Sequence, residues 1–202
     1  CNLVSIRGAN PQPFYDDATH GDAAANNNTF SFQATVPVTV TAGTKTLPCI
    51  ITDAQTRTVT TTITLDVMGP CIHIHEVQGA GHVSPYAGQK VRLCNVIVTA
   101  IRRPASGGGS NAFWVEEKTA NWDANDATSE GLYIYTGPSV PAVVVGDDVT
   151  IFGTLIEYRP GGDSSTSLTL TEINPAILIQ VNSSGNSTPA PVTVTPDGRT
   201  PP

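Results

Sequence analysis

Alternation of apolar and polar side chains with a period of two residues is the feature that most constrains this chain. In SEGLYIYTG (129–137), Leu132 and Ile134 fall on one side of any strand. Tyr133 and Tyr135 fall on the other side, because successive side chains of a strand point to opposite faces. No window repeats apolar residues at helical spacing, and no apolar run approaches the roughly 18 residues of a membrane span. The sequence therefore predicts an all-β protein without a transmembrane segment.

The first part of the chain predicts a small antiparallel β-sandwich of the immunoglobulin type. Its strand-like runs lie at 1–6, 29–36, 45–54 and 58–67, and a polar loop rich in Asp, Asn, Gly and Ala occupies 14–28. The chain begins at Cys1 without an initiator Met. We therefore expect a processed secreted protein in which the first strand of the sandwich is missing, so that one edge is left unpaired.

The second part of the chain predicts a five-stranded Greek-key barrel, the OB-fold. Met-Gly-Pro at 68–70 is a candidate hinge, and five strand-like runs follow it at 89–103, 112–117, 132–136, 147–158 and 167–173. Residues 183–202 are rich in Ser, Thr and Pro, which is typical of a linker or tail. The expected domains are therefore an immunoglobulin-like β-sandwich at 1–70, an OB-fold at 71–182 and a tail at 183–202.

The four cysteines predict disulfides rather than a metal site, because their spacing forms no CxxC motif and fits no zinc template. Four cysteines allow three pairings, and pairing within each domain, Cys1–Cys49 and Cys71–Cys94, is the simplest. A lipid-modified Cys1 is the alternative. A Thr-rich composition with few Lys residues, together with disulfides, indicates a secreted protein or one attached to the cell surface.

Four blocks of the second domain resemble one protein family. The blocks lie at 75–100 (beginning HEVQGAGHV), 123–137 (DANDATSEGLYIYTG), 143–162 (beginning VVVGDDVTIFG) and 196–202 (PDGRTPP). They resemble the OB-fold region ahead of the catalytic domain in large secreted bacterial nucleases of the endonuclease/exonuclease/phosphatase superfamily. FYDDATHGDAAANN and KTLPCIITDAQTRT are similar to an immunoglobulin-like module often placed before that OB-fold. In that family the catalytic metal centre lies downstream of the last block, so the resemblance implies a non-catalytic accessory region and carries over no catalytic residue.

An aromatic face is the candidate ligand site. If strands 112–117 and 132–136 pair antiparallel, Trp114 joins Tyr133 and Tyr135 on one surface. OB-folds bind oligonucleotides or sugars on this part of the barrel, and bases stack on aromatic rings at about 1–3 kcal/mol each. The candidate nucleic-acid-binding residues are Arg102, Arg103, Trp114, Tyr133, Tyr135 and Arg159. The alternative is that the aromatic rings pack against the first domain or the tail.

The charge of the chain limits how strongly it would bind nucleic acid. Its formal net charge is −7, and residues 71–182 carry six Lys or Arg against eleven Asp or Glu, which gives 6 − 11 = −5. Since phosphate contacts depend on local cations, we expect weak and salt-dependent binding of single-stranded or duplex DNA.

Two acidic loops are candidate Ca²⁺ sites, because Ca²⁺ prefers clustered oxygen ligands. The first offers Asp16, Asp17, Asp22 and Asn27, and the second offers Asp123, Asn125, Asp126 and Glu130. Neither matches the EF-hand loop. Asp and Asn side chains also cap turns without any metal, which is the alternative interpretation.

His73 and His75, expected on one face of a strand, form a His-x-His pair of the kind that chelates zinc or copper. The sequence offers no third ligand close to them, and the alternative is a pair of exposed or hydrogen-bonded side chains. No Gly-rich phosphate loop, Ser-His-Asp arrangement or paired-carboxylate motif stands out, so no cofactor is required and no catalysis is expected from this chain.

These features together predict an accessory region of a secreted nuclease that positions or weakly binds nucleic acid through the OB-fold. The alternative function is that of an extracellular structural subunit, in a filament or a surface attachment, whose β-domains contact copies of itself. Sugar binding on the same aromatic face is a third interpretation.

Overall fold

The computed structural model describes residues 1–104 and 109–192, and its regular structure is almost entirely β. The strands are β1 (Gly43–Thr52), β2 (Thr58–Val67), β3 (Lys90–Arg102), β4 (Asn111–Glu116), β5 (Gly131–Gly137), β6 (Asp148–Tyr158) and β7 (Leu170–Ser183). One short helix, α1 (Ile74–Gln78), and two 3₁₀ turns, Val4–Ile6 and Thr119–Asn121, accompany them. The predicted all-β class is confirmed.

The chain divides into two compact units, Cys1–Gly69 and Pro70–Pro202. Within the described residues, none of the helices has the length and apolar character needed to cross a membrane.

The second unit is a closed five-stranded barrel in the order β3-β4-β5-β7-β6, and β3 closes it by pairing with β6 as well. The neighbouring strands run antiparallel, except that β5 and β7 run parallel and pair at Tyr133–Glu172 and Ile134–Ile173. The first four of these strands lie where the sequence predicts them. The last strand is longer than predicted, because pairing with β6 continues from Leu170 to Ser183.

The barrel core consists of every second side chain of each strand, the ones that point into the barrel. Phe113 and Val115 on β4 are fully buried, as are Ile134 and Leu132 on β5. At Gly153 the strands β6 and β7 approach closely, since a Cβ atom there would lie 2.5 Å from the carbonyl oxygen of Pro175. The alternation predicted from the sequence therefore separates the core from the outer face.

The first unit differs from the predicted immunoglobulin-like sandwich. All of Cys1–Gly69 is described, and β1 and β2 are its only strands, paired antiparallel from Gly43–Val67 to Thr52–Thr58. Residues 29–36 contribute one isolated bridge, Tyr15–Ser31. The loop ahead of them enters the left-handed region repeatedly, at Ala18, His20, Asn26 and Asn28. Left-handed residues of this kind interrupt a regular strand, so the segment that leads into residues 29–36 is a series of turns.

Residues 1–6 also differ from the prediction, because a 3₁₀ turn replaces the expected strand. Leu3 and Ile6 are both buried at a spacing of three residues, whereas Val4 is exposed. That spacing fits a helical turn and does not fit a strand. The side-chain oxygen of Asn2 accepts the backbone N–H of Val4 at 3.0 Å and starts the turn.

Both disulfides form within a unit, Cys1–Cys49 and Cys71–Cys94, which is the simplest of the three pairings. The first joins the N-terminal segment to β1, and the second joins the segment before α1 to β3. Because its sulfur is in the bridge, Cys1 in this structure is not a lipid-modified thiol.

Candidate functional site

An aromatic pair lies on the outer face of the barrel. Strands β4 and β5 pair antiparallel, and Trp114 lies directly opposite Tyr133. Their ring centroids are 5.0 Å apart, and the ring planes are tilted by 59°. Trp114 is 39% exposed, whereas Tyr133 is only 8% exposed. Trp114 is therefore the ring that a ligand can reach, and Tyr133 supports it from the side.

The next row of the same face carries a cation and the second tyrosine. Arg102 pairs with Ala112, which in turn pairs with Tyr135, so the three side chains share one face. Arg102 is exposed, and the hydroxyl group of Tyr135 forms a 2.9 Å hydrogen bond with that of Ser110. Arg102 is therefore two residues along the strands from Trp114, diagonally across the β3–β4 pair.

A groove of about 490 Å³ continues this face beyond Tyr135. The segment that follows β5 forms one wall, and a bend in β7 around Asn174 and Pro175 forms the other. Ligand sites in proteins commonly have volumes of about 300–1,000 Å³. The groove therefore has the size of a binding site, with one predicted aromatic residue at its edge.

The other two predicted arginines have structural partners. The guanidinium group of Arg103 donates to the carbonyl oxygens of Pro141 at 3.4 Å and Val143 at 3.1 Å, and so holds the loop after β5. Arg159 donates to the carbonyl oxygen of Ser167. The strand register puts Arg159 beyond the Gly131 end of β5, whereas Arg102 and Tyr135 lie towards the Gly137 end.

Carboxyl groups also lie on the aromatic face. Glu116 is two residues from Trp114 on β4, and Glu172 of β7 pairs with Tyr133. Burial raises the pKa of Glu116 above its ordinary value, and the negative charge of Glu130 adds to the rise. Burial also raises the pKa of Glu172, against a hydrogen bond from Asn174 that lowers it. These carboxyl groups oppose the approach of a phosphate to this part of the face.

The first acidic loop is organised by hydrogen bonds to its own backbone. The carboxylate of Asp16 accepts the N–H groups of Asn27 at 3.0 Å and Asn28 at 2.9 Å. Asp22 accepts the N–H of Ala18 at 2.8 Å. The hydroxyl group of Thr19 donates to Asp17 and holds the pKa of that carboxyl below its ordinary value. Asp16, Asp17 and Asp22 therefore cap turns, as the alternative interpretation predicts.

A cluster of one histidine and two acids lies at the end of the barrel where β5 begins. Ligand atoms of His75, Asp123 and Glu130 lie within 4.8 Å of one another, and this is the one such group in the part of the chain that the structure describes. Nδ1 of His75 is 3.1 Å from Oε2 of Glu130. Asp123 is exposed, and Glu130 is buried.

The cluster combines one residue of the predicted His-x-His pair with two residues of the second acidic loop, so it matches neither predicted metal site in full. His73 and His75 do not lie on a strand, because His73 caps α1 and His75 lies within it. Asn125 turns its side-chain oxygen to the N–H of Ala127 at 3.1 Å and does not join Asp123. Asp126 is likewise outside the group. The partners of His75 therefore come from the second acidic loop, and sequence spacing alone did not indicate this.

Glu117 is a buried acid that the sequence did not single out, and its role is structural. It is 1% exposed, and its Oε1 accepts the backbone N–H of Ile74 at 3.0 Å. Nδ1 of His73 lies 3.2 Å from the same oxygen. The rings of His73 and His75 stack with centroids 5.1 Å apart. Glu117 thereby fixes the start of α1 and the position of both histidines.

No family model matches this chain, and searches of curated proteins and of solved structures find no match either.

Proposed function

We propose that this chain is a non-catalytic, extracellular binding region whose barrel holds single-stranded nucleic acid against the outer face of β3, β4 and β5. The observation that carries the proposal is the exposed ring of Trp114, supported by Tyr133 and lying two residues along the strands from Arg102. A base stacks on the indole, and the guanidinium group of Arg102 contacts the adjacent phosphate.

The topology of the barrel supports the same proposal. Five strands in the order β3-β4-β5-β7-β6, closed by β3 against β6, fit an OB-fold. OB-folds bind oligonucleotides on their second and third strands, which here are β4 and β5. The two disulfides suit an oxidising, extracellular compartment. The resemblance of the four sequence blocks to the region ahead of a nuclease domain supports a role in positioning nucleic acid for such a domain.

The charges of this face make the binding weak. Arg102 is the exposed cation of the aromatic rows, and the half-buried Glu116 and the buried Glu172 flank them. Few phosphates are therefore neutralised, so affinity is expected to come mainly from stacking and to fall as salt rises.

A fluorescent single-stranded oligonucleotide titrated at low and moderate salt tests the proposal. Trp114→Ala is expected to weaken binding by about 5- to 150-fold, the equivalent of one lost base stack. Tyr158→Ala is the matched control, because Tyr158 is also exposed but lies beyond the opposite end of the face. The proposal would be contradicted if the parent chain did not bind the oligonucleotide at low salt, or if both variants lost affinity equally. Salt-independent binding of an oligosaccharide that requires Trp114 would favour sugar as the ligand.

The β1–β2 hairpin favours a second function, assembly with copies of the same chain. Ile50, Ile51 and Val59 are between 57% and 68% exposed near the hairpin turn, and Ile51 pairs with Val59 on one face. The sheet has only two strands, and no further strand pairs with either edge, although the backbone N–H of Asn2 donates to the carbonyl oxygen of Pro48 on β1 at 2.8 Å. A second copy that adds a strand to such an edge would cover both the backbone groups and the apolar side chains.

A further inference from the structure

We propose that His75, Asp123 and Glu130 form a binding site for a divalent first-row transition metal ion, with Zn²⁺ as the best-matched ion. The site does not depend on nucleic-acid binding, because it lies at the Gly131 end of β5, away from Arg102 and Tyr135.

The spacing of the ligand atoms fits a shared metal ion. Zn–N and Zn–O bonds are about 2.0–2.2 Å long, so two ligand atoms on one ion are about 2.9–3.4 Å apart at angles between octahedral and tetrahedral values. Nδ1 of His75 and Oε2 of Glu130 are 3.1 Å apart, inside that range. The ligand atoms of all three residues lie within 4.8 Å of one another, and Asp123 is the exposed member of the cluster.

The types of ligand select the metal. One imidazole nitrogen and two carboxylate oxygens suit Zn²⁺, which is commonly held by three protein ligands with water in the fourth position. Ca²⁺ takes six to eight oxygen ligands and does not favour imidazole. The two carboxylates also balance the charge of a divalent ion. The Ca²⁺ expectation for Asp123, Asn125 and Asp126 is thus replaced by a different ligand set and a different ion.

The ligands are held in place by a second layer of hydrogen bonds. Oε1 of Glu130 accepts the backbone N–H of Asp123 at 3.0 Å, which turns Oε2 towards His75. The hydroxyl group of Thr128 lies 2.9 and 3.0 Å from the two carboxylate oxygens of Asp123. The ring of His73 stacks on His75 and restricts its rotation. Such outer partners orient metal ligands and raise affinity.

Metal binding at this site replaces the hydrogen bond between His75 and Glu130. A metal-bound imidazole is neutral, so with the ion on Nδ1 its remaining hydrogen atom lies on Nε2. The expected stoichiometry is one Zn²⁺ bound per chain.

Isothermal titration of the tag-free, full 202-residue chain with ZnCl₂ tests the proposal. We expect one site, with affinity reduced by at least about tenfold in His75→Gln and in Asp123→Asn. His82→Gln is the matched control and should bind like the parent chain, since His82 bonds to Thr169 outside the cluster. CaCl₂ is expected not to compete.

Two further measurements keep the result unambiguous. Asp123→Asn changes an exposed residue and retains a side-chain oxygen, so its fold is expected to persist even if His75→Gln unfolds. Zn²⁺ should raise the melting temperature of the parent chain and of His82→Gln, but not of Asp123→Asn. No Zn²⁺ binding by the parent chain, equal binding by Asp123→Asn, or equal competition by Ca²⁺ would overturn the proposal.

Discussion

Glu172 is a charged side chain in a place that favours its neutral form. It is 2% exposed on β7, opposite Tyr133, and the side chain of Asn174 donates to its Oε1 at 3.0 Å. Burial raises its pKa above the ordinary value of 4.5, and the hydrogen bond offsets part of the rise. The folded protein thus binds this proton more tightly than the unfolded chain does. The resulting stability is complete below pH 4.5 and is lost as pH rises through the raised pKa.

Replacing Glu172 by Gln should remove this pH dependence. Gln keeps the oxygen that accepts from Asn174 and carries no charge, so we expect a higher melting temperature than the parent chain at pH 7. The difference should shrink towards zero below the ordinary pKa of a glutamate. Each kcal/mol corresponds to about 2–4 °C for a chain of this size. Melting curves recorded from acid to neutral pH check the expectation, and a variant less stable than the parent at pH 7 would contradict it.

The His75 site shows why some residues escape prediction from a sequence. Glu130 is 55 residues from His75, and the barrel brings the two together because Glu130 immediately precedes β5 while α1 lies against that strand. Period-two alternation predicts which face a side chain occupies, but it does not say which loops meet at the end of a barrel. The aromatic pair was predictable, since it needs only the pairing of two adjacent strands.

Among the elements, the β1–β2 hairpin is the least covered. Leu47 and Cys49 are buried where the hairpin meets the rest of the first unit. Further along, Ile51 and Val59 face outward together. A two-stranded sheet alone is marginally stable in water, so a hairpin that exposes such side chains is suited to receiving a further strand.

If the hairpin joins copies of the chain, Ile51→Lys should weaken self-association by about tenfold or more, because association would bury an unpaired charge. Val38→Lys is the matched control, since Val38 is fully exposed and lies outside the hairpin. Sedimentation velocity over a range of concentrations gives the readout. A parent chain that remains monomeric at every concentration would count against assembly.

The elements of the two units were not equally predictable. Apolar and polar side chains alternate clearly along each barrel strand. Because the barrel is closed, the apolar face of each strand must point inward. The apolar residues of 1–6 and 29–36 also resemble strands, yet Leu3 and Ile6 satisfy a helical turn equally well. A short apolar run does not distinguish these structures without knowledge of its partners.

At the scale of the whole molecule, the two units rest on different sources of stability. The barrel has a continuous core that includes Phe113, Ile134 and Ile151, all fully buried. The core of the first unit centres on Leu3, Ile6 and Leu47, with partly buried neighbours. A unit of this size with so small a core usually needs a crosslink.

Removing each disulfide should therefore affect the units differently. The Cys1–Cys49 bridge spans 48 residues and is worth about 4 kcal/mol by loop closure, against about 3 kcal/mol for the 23-residue span of Cys71–Cys94. We expect Cys1→Ser/Cys49→Ser to unfold the first unit at room temperature while the barrel still melts cooperatively. Cys71→Ser/Cys94→Ser should lower only the melting temperature of the barrel. Calorimetry with limited proteolysis distinguishes the outcomes, and a first unit that resists protease without its bridge would refute the expectation.

The parallel pairing of β5 with β7 is the shortest ladder of the barrel. Only Tyr133 and Ile134 are in register with β7, whereas the β6–β7 ladder extends from Leu170 to Ser183. Transient separation of the strands should begin at this short seam and expose Ile134 and Ile173 before the rest of the core. Tyr133 and Glu172 stand on the two sides of the seam. A ligand that contacts both residues would therefore slow the separation of β5 from β7. A ligand that contacts Trp114 alone would leave the rate of this separation unchanged.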